Sequence, residues 1–285
     1  MSIIHRKGVA LAGVAGVLAS SALFVATAGP AAAATDVKIG TVAINSVGTI
    51  PWAQASGIFK KNGLNVTEIK IFPAPPPTLA ALAAGAVQFA YAPSIPIINA
   101  YANAGMALKV VAVADGYTTA ALQAAKKSPV LAAKLDDTGV CVSPTSGINS
   151  FKDLAGKTVS VPARGAQGEV TIAQAVKNAG GNPATVNFVV LPFGAAIDAV
   201  ASGKTQAAFT VEPFTSDCTS SGLKNLGSPG VQFFSTEQAV GMWVTTAAYA
   251  AQNPAAVTAF QKSIAEVNRF ASTKAGWDQI GRAHV

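Results

Sequence analysis

Charge, aromatic rings and histidine are all scarce in this chain. Of its 285 residues, 12% are charged and 7% aromatic, while 51% are hydrophobic. So apolar a chain of this length can bury one large core or two smaller ones, which excludes a disordered segment, and two cysteines are too few for a disulfide-stapled miniature. The two histidines, His5 and His284, sit at the ends. The stretch between them therefore cannot run Ser-His or Cys-His catalysis and lacks the commonest metal ligand. Motifs are missing as well: there is no G-x-S-x-G, no G-x-G-x-x-G and no C-x-x-C. Gly156-Lys157-Thr158 and Gly203-Lys204-Thr205 resemble the end of a phosphate-binding loop, but Phe151 and Asp198 stand where its first glycine belongs, so both read as turns entering strands. Ser221-Gly-Leu-Lys224 has the S-x-x-K spacing of penicillin-recognising enzymes without the K-T-G that should follow, and reads as a surface turn. No catalytic residue, cofactor or metal ligand is nominated.

The ends carry much of the apparent charge. Residues 1–34 read as an export signal: Arg6 and Lys7 start it, Gly8 to Ala28 is apolar and uncharged, Gly29-Pro30 breaks it, and small residues at Ala32 and Ala34 suit cleavage after Ala34. An uncleaved anchor helix is the alternative, although Ser20, Ser21 and several glycines dilute the apolar run. No cysteine lies near the cut to carry a lipid, so a soluble exported protein, periplasmic or extracellular, is expected. The last six residues, 280–285, back-translate to a string resembling a sequencing adapter. The natural chain is therefore expected to continue past Gln279, the alternative being an ordinary polar tail. Without Arg6, Lys7 and Arg282 the 20 basic residues fall to 17 against 13 acids, so the formal charge of +7 becomes +4. That is too mild to argue for nucleic acid. Cys141 and Cys218 both lie in the exported part, where pairing in a disulfide is the expectation.

From residue 37 short apolar runs alternate with amphipathic ones. Val37–Ala43, Val66–Ile71, Val87–Tyr91 and Lys109–Ala114 read as strands, with helices over Pro51–Lys61, Thr78–Ala84 and Ile95–Asn103 between them. After Asp115-Gly116 the rhythm restarts: strands at Thr119–Gln123, Thr158–Val161, Val186–Leu191 and Gln206–Val211, a capped turn at Ser150–Asp153, and helices over Gln167–Ala179 and Ala195–Ser202. A strand at Ala239–Thr246 and a long helix from Pro254 toward Ala271 close the chain. This is the pattern of an α/β protein with helix-covered, mostly parallel sheet in two units and a late return. A partial echo supports two similar units: Leu82-Ala-Ala-Gly85 before Val87-Gln-Phe-Ala90, and Val200-Ala-Ser-Gly203 before Gln206-Ala-Ala-Phe209.

Open α/β sheets bind ligands beyond the carboxyl ends of their strands. Four loops there are unusual: Asn45 to Thr49, Phe72 to Thr78 with its triple proline, Ala92-Pro93-Ser94, and Pro162 to Gly168. The last two open helices whose N–H groups and dipoles could hold an anion. Arg164, one of two arginines between the signal and the tail, either pairs with such an anion or is a solvated loop residue. Trp52, Tyr91, Tyr117, Phe193 and Phe214 either wall a cleft or simply pack. Glu212 either faces the cleft or caps the next helix, and Asp115 reads as a hinge turn residue.

Taken in order, Val37-Lys-Ile-Gly40, Gly57-Ile-Phe-Lys-Lys-Asn-Gly-Leu-Asn-Val66, Leu79 to Gly85 with Val87-Gln-Phe-Ala90, Asp153-Leu-Ala-Gly-Lys-Thr-Val159 and Glu212-Pro-Phe214 resemble the sulfonate/nitrate/taurine and thiamine-precursor solute-binding proteins of ABC importers. The resemblance spans nearly all of residues 35–279. It implies a type 2 periplasmic-binding-protein fold of two α/β lobes with a ligand cleft and two hinge crossovers. Residues 35–116 would form the first part of lobe 1, 117–212 lobe 2, and 213–279 the return to lobe 1. It also implies a small-molecule ligand, ABC permease subunits as partners, and a monomer that is not an enzyme. By position, ligand contacts are expected from Asn45 and Ser46, Ser94, Tyr117, Arg164, Gly165, Ala166 and Gln167, and Glu212. Many sulfonate binders place Gly-Ser where this chain has Gly165-Ala166, which puts a sulfonate in doubt. The pyrimidine synthases that share the fold use a histidine and a cysteine-rich motif, and neither is present. A clamshell that signals to a membrane receptor is the alternative function, and a secreted hydrolase a more distant one.

Overall fold

A computed structural model describes residues 34–276. The expected signal, apart from Ala34, and the suspected tail lie outside the described residues.

Ten strands form two five-stranded mixed sheets. The first contains β1 (Thr35–Val42), β2 (Leu64–Phe72), β3 (Phe89–Pro93), β4 (Leu108–Tyr117) and β10 (Gln238–Thr246), in the order β2-β1-β3-β10-β4. The second contains β5 (Thr138–Val142), β6 (Thr158–Val161), β7 (Asn187–Val190), β8 (Ala207–Val211) and β9 (Lys224–Asn225), in the order β7-β6-β8-β5-β9. In the first sheet β1 runs parallel to β2 and β3 while β10 is antiparallel to β3 and β4. In the second β6 runs parallel to β7 and β8 while β5 is antiparallel to β8. The chain leaves the first sheet after β4 and returns to it with β10, which gives the two crossovers. The internal echo is architectural, because its two strands, β3 and β8, occupy the central position of their sheets.

Hydrophobic burial explains the layers. Phe89 on β3 stacks on Phe260 of the Pro254–Ala271 helix at 4.0 Å, and Trp243 on β10 meets the same ring edge-on at 5.7 Å. With Ile39, Ile50, Phe59 and Leu64 they form the core of the first sheet. Leu154, Val159, Ile172, Val176 and Phe209 fill the equivalent place in the second. β1 shows why a sequence forms such a strand: its early residues alternate exposed and buried, and from Ile39 to Val42 it is buried throughout. Gly40 lets the Pro75–Ala83 helix approach, since a Cβ there would lie 2.9 Å from Thr78 Cγ2. The expected disulfide is formed: Cys141 on β5 is bonded to Cys218 in the Phe214–Ser220 helix, with Cα atoms 6.0 Å apart and both residues fully buried. The Glu212–Pro213 peptide is cis.

Three local readings are corrected. Thr119–Gln123, expected as a strand, is the start of the helix Thr119–Lys127: Thr118 Oγ1 accepts from the Ala121 N–H, and Leu122 and Ala125, three apart, form its buried stripe. The triple proline is not loop but the first turn of the Pro75–Ala83 helix, where a missing N–H costs no intrahelical bond. β5, a fully buried strand of five residues, has no counterpart among the sequence expectations because so short an apolar run shows no period. Among the described residues no helix is long and apolar enough to cross a membrane.

Candidate functional site

The carboxyl ends of the parallel strands in both sheets converge on one cleft. Its inner slot, about 50 Å³, is lined from the first sheet by Val42, Ile44 and Ser46 after β1, Tyr91 and Pro93 on β3, Asp115 on β4 and Val240 on β10. The second sheet contributes Asp137 and Thr138 at β5, Pro162 after β6, and Phe209 and Val211 on β8. Helix starts at Pro75, Pro96, Ala166 to Gly168 and Phe193 complete the wall. Gly168 is required there, because a Cβ would lie 2.7 Å from the Phe209 ring. That leaves room for little more than a few waters. Beside the slot lies an outer chamber of about 480 Å³, and Ser46, Asp115, Asp137 and Val240 form the wall common to both.

Three hydrogen bonds hold the two sides together. Ser46 Oγ donates to Asp137 Oδ2 at 2.8 Å, Asn99 Nδ2 donates to the Gly165 carbonyl at 2.7 Å, and the Asn45 N–H donates to the Glu212 carbonyl at 2.8 Å. All three join the first sheet's side to the second's, since Glu212 lies between β8 and the Phe214–Ser220 helix.

The acids of the site are unusual. Asp115 accepts from the Gly241 N–H at 3.0 Å and the Tyr91 hydroxyl at 3.2 Å. Asp136 is saturated by Tyr117 Oη, both donors of Thr138 and the Val231 N–H, and its role is structural. Asp137 accepts from Ser46. Burial raises the carboxyl pKa of all three, and for Asp137 burial, reinforced by the charges of Asp115 and Asp136, pushes it up to about 7. Burial and the neighbouring Asp115 likewise hold the Tyr91 hydroxyl well above the ordinary tyrosine range. No lysine or arginine lines the slot.

The residues nominated from the sequence are divided among these regions. Ser46, Ala166 and Gln167 line the slot. Asn45, Tyr117 and Glu212 line the outer chamber. Glu212 does both things its position allowed, since its Oε2 also accepts from the Ser216 N–H at 3.2 Å. Ser94 begins the Ser94–Ala104 helix between the slot-lining Pro93 and Pro96 without lining the slot itself. Arg164 and Gly165 line a separate pocket of about 330 Å³ that shares Pro96 and Ala166 with the slot. The arginine is turned away from the slot: its Nε and one terminal nitrogen donate to the two Glu169 oxygens at 2.7 and 3.1 Å, its other terminal nitrogen donates to the Phe188 carbonyl, and the guanidinium sits 5.9 Å from the Phe188 ring. Asp137 and Thr138 were missed, and Asp115 was read as a hinge turn. β5 runs against its neighbours, so its amino end lies beside the carboxyl end of β8, with Thr138 opposite Val211. A search confined to strand carboxyl ends passes over it, although two adjacent acids before an apolar run were a signal.

The NMT1/THI5 like family profile matches residues 132–273. That segment is similar to the NMT1/THI5-like family. It contains Asp137, Thr138 and the Ala166–Gly168 helix start. Among solved structures, the chain is similar to the alkanesulfonate-binding protein SsuA from Xanthomonas axonopodis pv. citri bound to MOPS, with TM-score 0.71 and 18% identity over 89% of this chain and 81% of that one. It is similar to the periplasmic nitrate-binding protein NrtA from Synechocystis PCC 6803, with TM-score 0.70 and 14% identity over 87% of this chain and 64% of that one. A Candida albicans protein described as having the generic periplasmic binding protein fold matches with TM-score 0.62 and 14% identity, over 86% of this chain and 74% of that one. The fold is therefore that of the periplasmic binding proteins. No curated protein sequence matches the chain.

Proposed function

We propose that the protein is the extracytoplasmic solute-binding receptor of an ABC importer, working as a monomer. It captures a small solute by closing two lobes, one built on each sheet, and presents it to a membrane permease. The return to the first lobe begins with β10 rather than at residue 213, since β9 and the Phe214–Ser220 helix, bonded to β5 by the disulfide, belong to the second sheet. The observation that carries this reading is the convergence of strand ends from both sheets on one cleft, bridged by Ser46–Asp137 and Asn99–Gly165. Two crossovers and direct polar contacts across a nearly filled slot are what hinge closure requires. The binding proteins of similar fold, for alkanesulfonate and nitrate, support the class.

Among sulfonate or taurine, nitrate and thiamine-pyrimidine solutes, the cleft favours the planar pyrimidine class. Tyr91, Phe193 and Phe209 offer flat apolar surface, whereas Arg164, the one arginine near the site, is already bonded to Glu169. A thermal-shift screen of sulfonates, nitrate, pyrimidines, aromatic acids and amines on the mature chain tests the proposal. One class should raise the melting temperature in proportion to the logarithm of its concentration. Failure of every class at saturating concentration contradicts it.

A further inference from the structure

We infer that the cleft selects a solute bearing a cationic N–H donor, such as an ammonium, an amidinium or a protonated amino-heterocycle, which seats between Asp115 and Asp137. The inference rests on the cleft being the solute site and goes further by fixing the sign of the solute's charge.

Helix starts ordinarily give such a cleft its affinity for anions, through the N–H groups of the first turn. Here proline removes many of them. The Pro75–Ala83 helix begins with three prolines and offers no N–H at its first three positions. In the Ser94–Ala104 helix, Pro96 takes the third. Just before the Gln167–Asn178 helix the Gly165 N–H is already taken by Glu169 at 2.8 Å, which also holds Arg164. An anion entering the slot would meet two half-buried acids and no cation.

A cation meets the opposite arrangement. Asp115 and Asp137 sit in the wall shared by slot and outer chamber. A carboxylate offers about four acceptor positions, and the protein donates to two of Asp115's and one of Asp137's, leaving lone pairs on both. The ion pairs seen among the described residues, Lys38–Glu68, Lys61–Glu266 and Arg164–Glu169, do not involve them. The outer chamber continues the sign, with Glu212 and Asp136 against the exposed Lys134. Asp136 is fully bonded, so Asp115 and Asp137 are the specificity-determining pair. Without a counterion burial favours their protonated forms, and a cation seated between them would favour ionisation of both.

Probes that share one ring and differ in charge test the inference: benzamidinium and benzylammonium against benzoate and benzenesulfonate, titrated calorimetrically into the mature wild-type chain. The cations should bind and the anions should not, with cation affinity at least tenfold weaker in Asp115→Asn and Asp137→Asn and unchanged in Asp153→Asn, a surface control. Both cleft variants should melt no lower than wild type, which checks that they fold. The wild-type charge preference stands as a readout even if they do not. Binding of anions alone, cation binding indifferent to both aspartates, or no binding of either series at millimolar concentration overturns the charge assignment while leaving the cleft reading to the broader screen. Binding that persists undiminished in Gln167→Trp, which fills the slot, places the site elsewhere and overturns both.

Discussion

Replacing Cys141 and Cys218 together by alanine should remove a large share of the stability of the second sheet. The bond closes a stretch with a sequence separation of 77 residues, which contains β6, β7 and β8 together with the Gln167–Asn178 and Phe193–Ala201 helices. In the chain-entropy account a loop of that length lowers the entropy of the unfolded chain enough to stabilise the fold by about 4.5 kcal/mol at 25 °C. With a urea slope of about 3 kcal/mol/M for a chain of this size, the midpoint should fall by about 1.5 M. Both cysteines are fully buried, so a thiol reagent should detect no free thiol in the native wild type, and reduction should require unfolding. The assay is urea unfolding followed by circular dichroism, comparing the oxidised wild type, the wild type unfolded and refolded under reductant, and the double alanine variant. The second and third should agree with each other and lie well below the first. Equal midpoints for all three would refute the reasoning, because they would mean that the unfolded chain gains no freedom when the bond is absent.

Other outcomes follow from the same contacts. Phe260→Ala should cost about 3–5 kcal/mol, since it empties the centre of the aromatic cluster with Phe89 and Trp243, and urea unfolding would read it. For Asp137 the folded pKa of about 7 lies above the ordinary 3.8, so between those values the folded state holds a proton the unfolded state has released. Its contribution is therefore greatest below about pH 4 and is lost as the pH rises to about 7. Wild type should lose more stability than Asp137→Asn between about pH 5 and about pH 8, and parallel profiles would contradict this. Ser46→Ala removes the hydroxyl that donates to Asp137 and should raise that carboxyl pKa further, as read by NMR titration, whereas a fall would show that the bond is not formed.

Much of the fold was legible because its strands are long or strongly apolar and its helices carry clear stops. β1, the Gln167–Asn178 helix and the long helix after Pro254 all lie within a few residues of their expected bounds. The misreadings have physical reasons. Thr119–Gln123 offers too few residues to separate a period of two from one of 3.6, and its outcome depends on the Thr118 cap and on lysines further along. The triple proline looks like loop until its position at a helix start is known. The site was only half legible. Loops after parallel strands marked Ser46, Ala166 and Gln167, but Asp137 immediately precedes an antiparallel strand whose amino end comes to the same edge, and only strand order reveals that. Arg164 was conspicuous as a rare cation, and its partner Glu169 lay five residues away in plain view.

The central claim is that the two sheets close on a solute held between them. It is tested most directly by measuring the distance between spin labels on Tyr101→Cys, exposed on the Ser94–Ala104 helix, and Lys177→Cys, exposed on the Gln167–Asn178 helix, while the small-molecule fraction of yeast extract is added. The native cysteines are bonded to each other and leave the new thiols free for labelling. The account predicts a longer or split distance distribution for the dialysed protein that collapses to one short distance on addition, and reopens in Gln167→Trp. A single distance that never changes, in a protein whose melting temperature the same fraction raises, would contradict it.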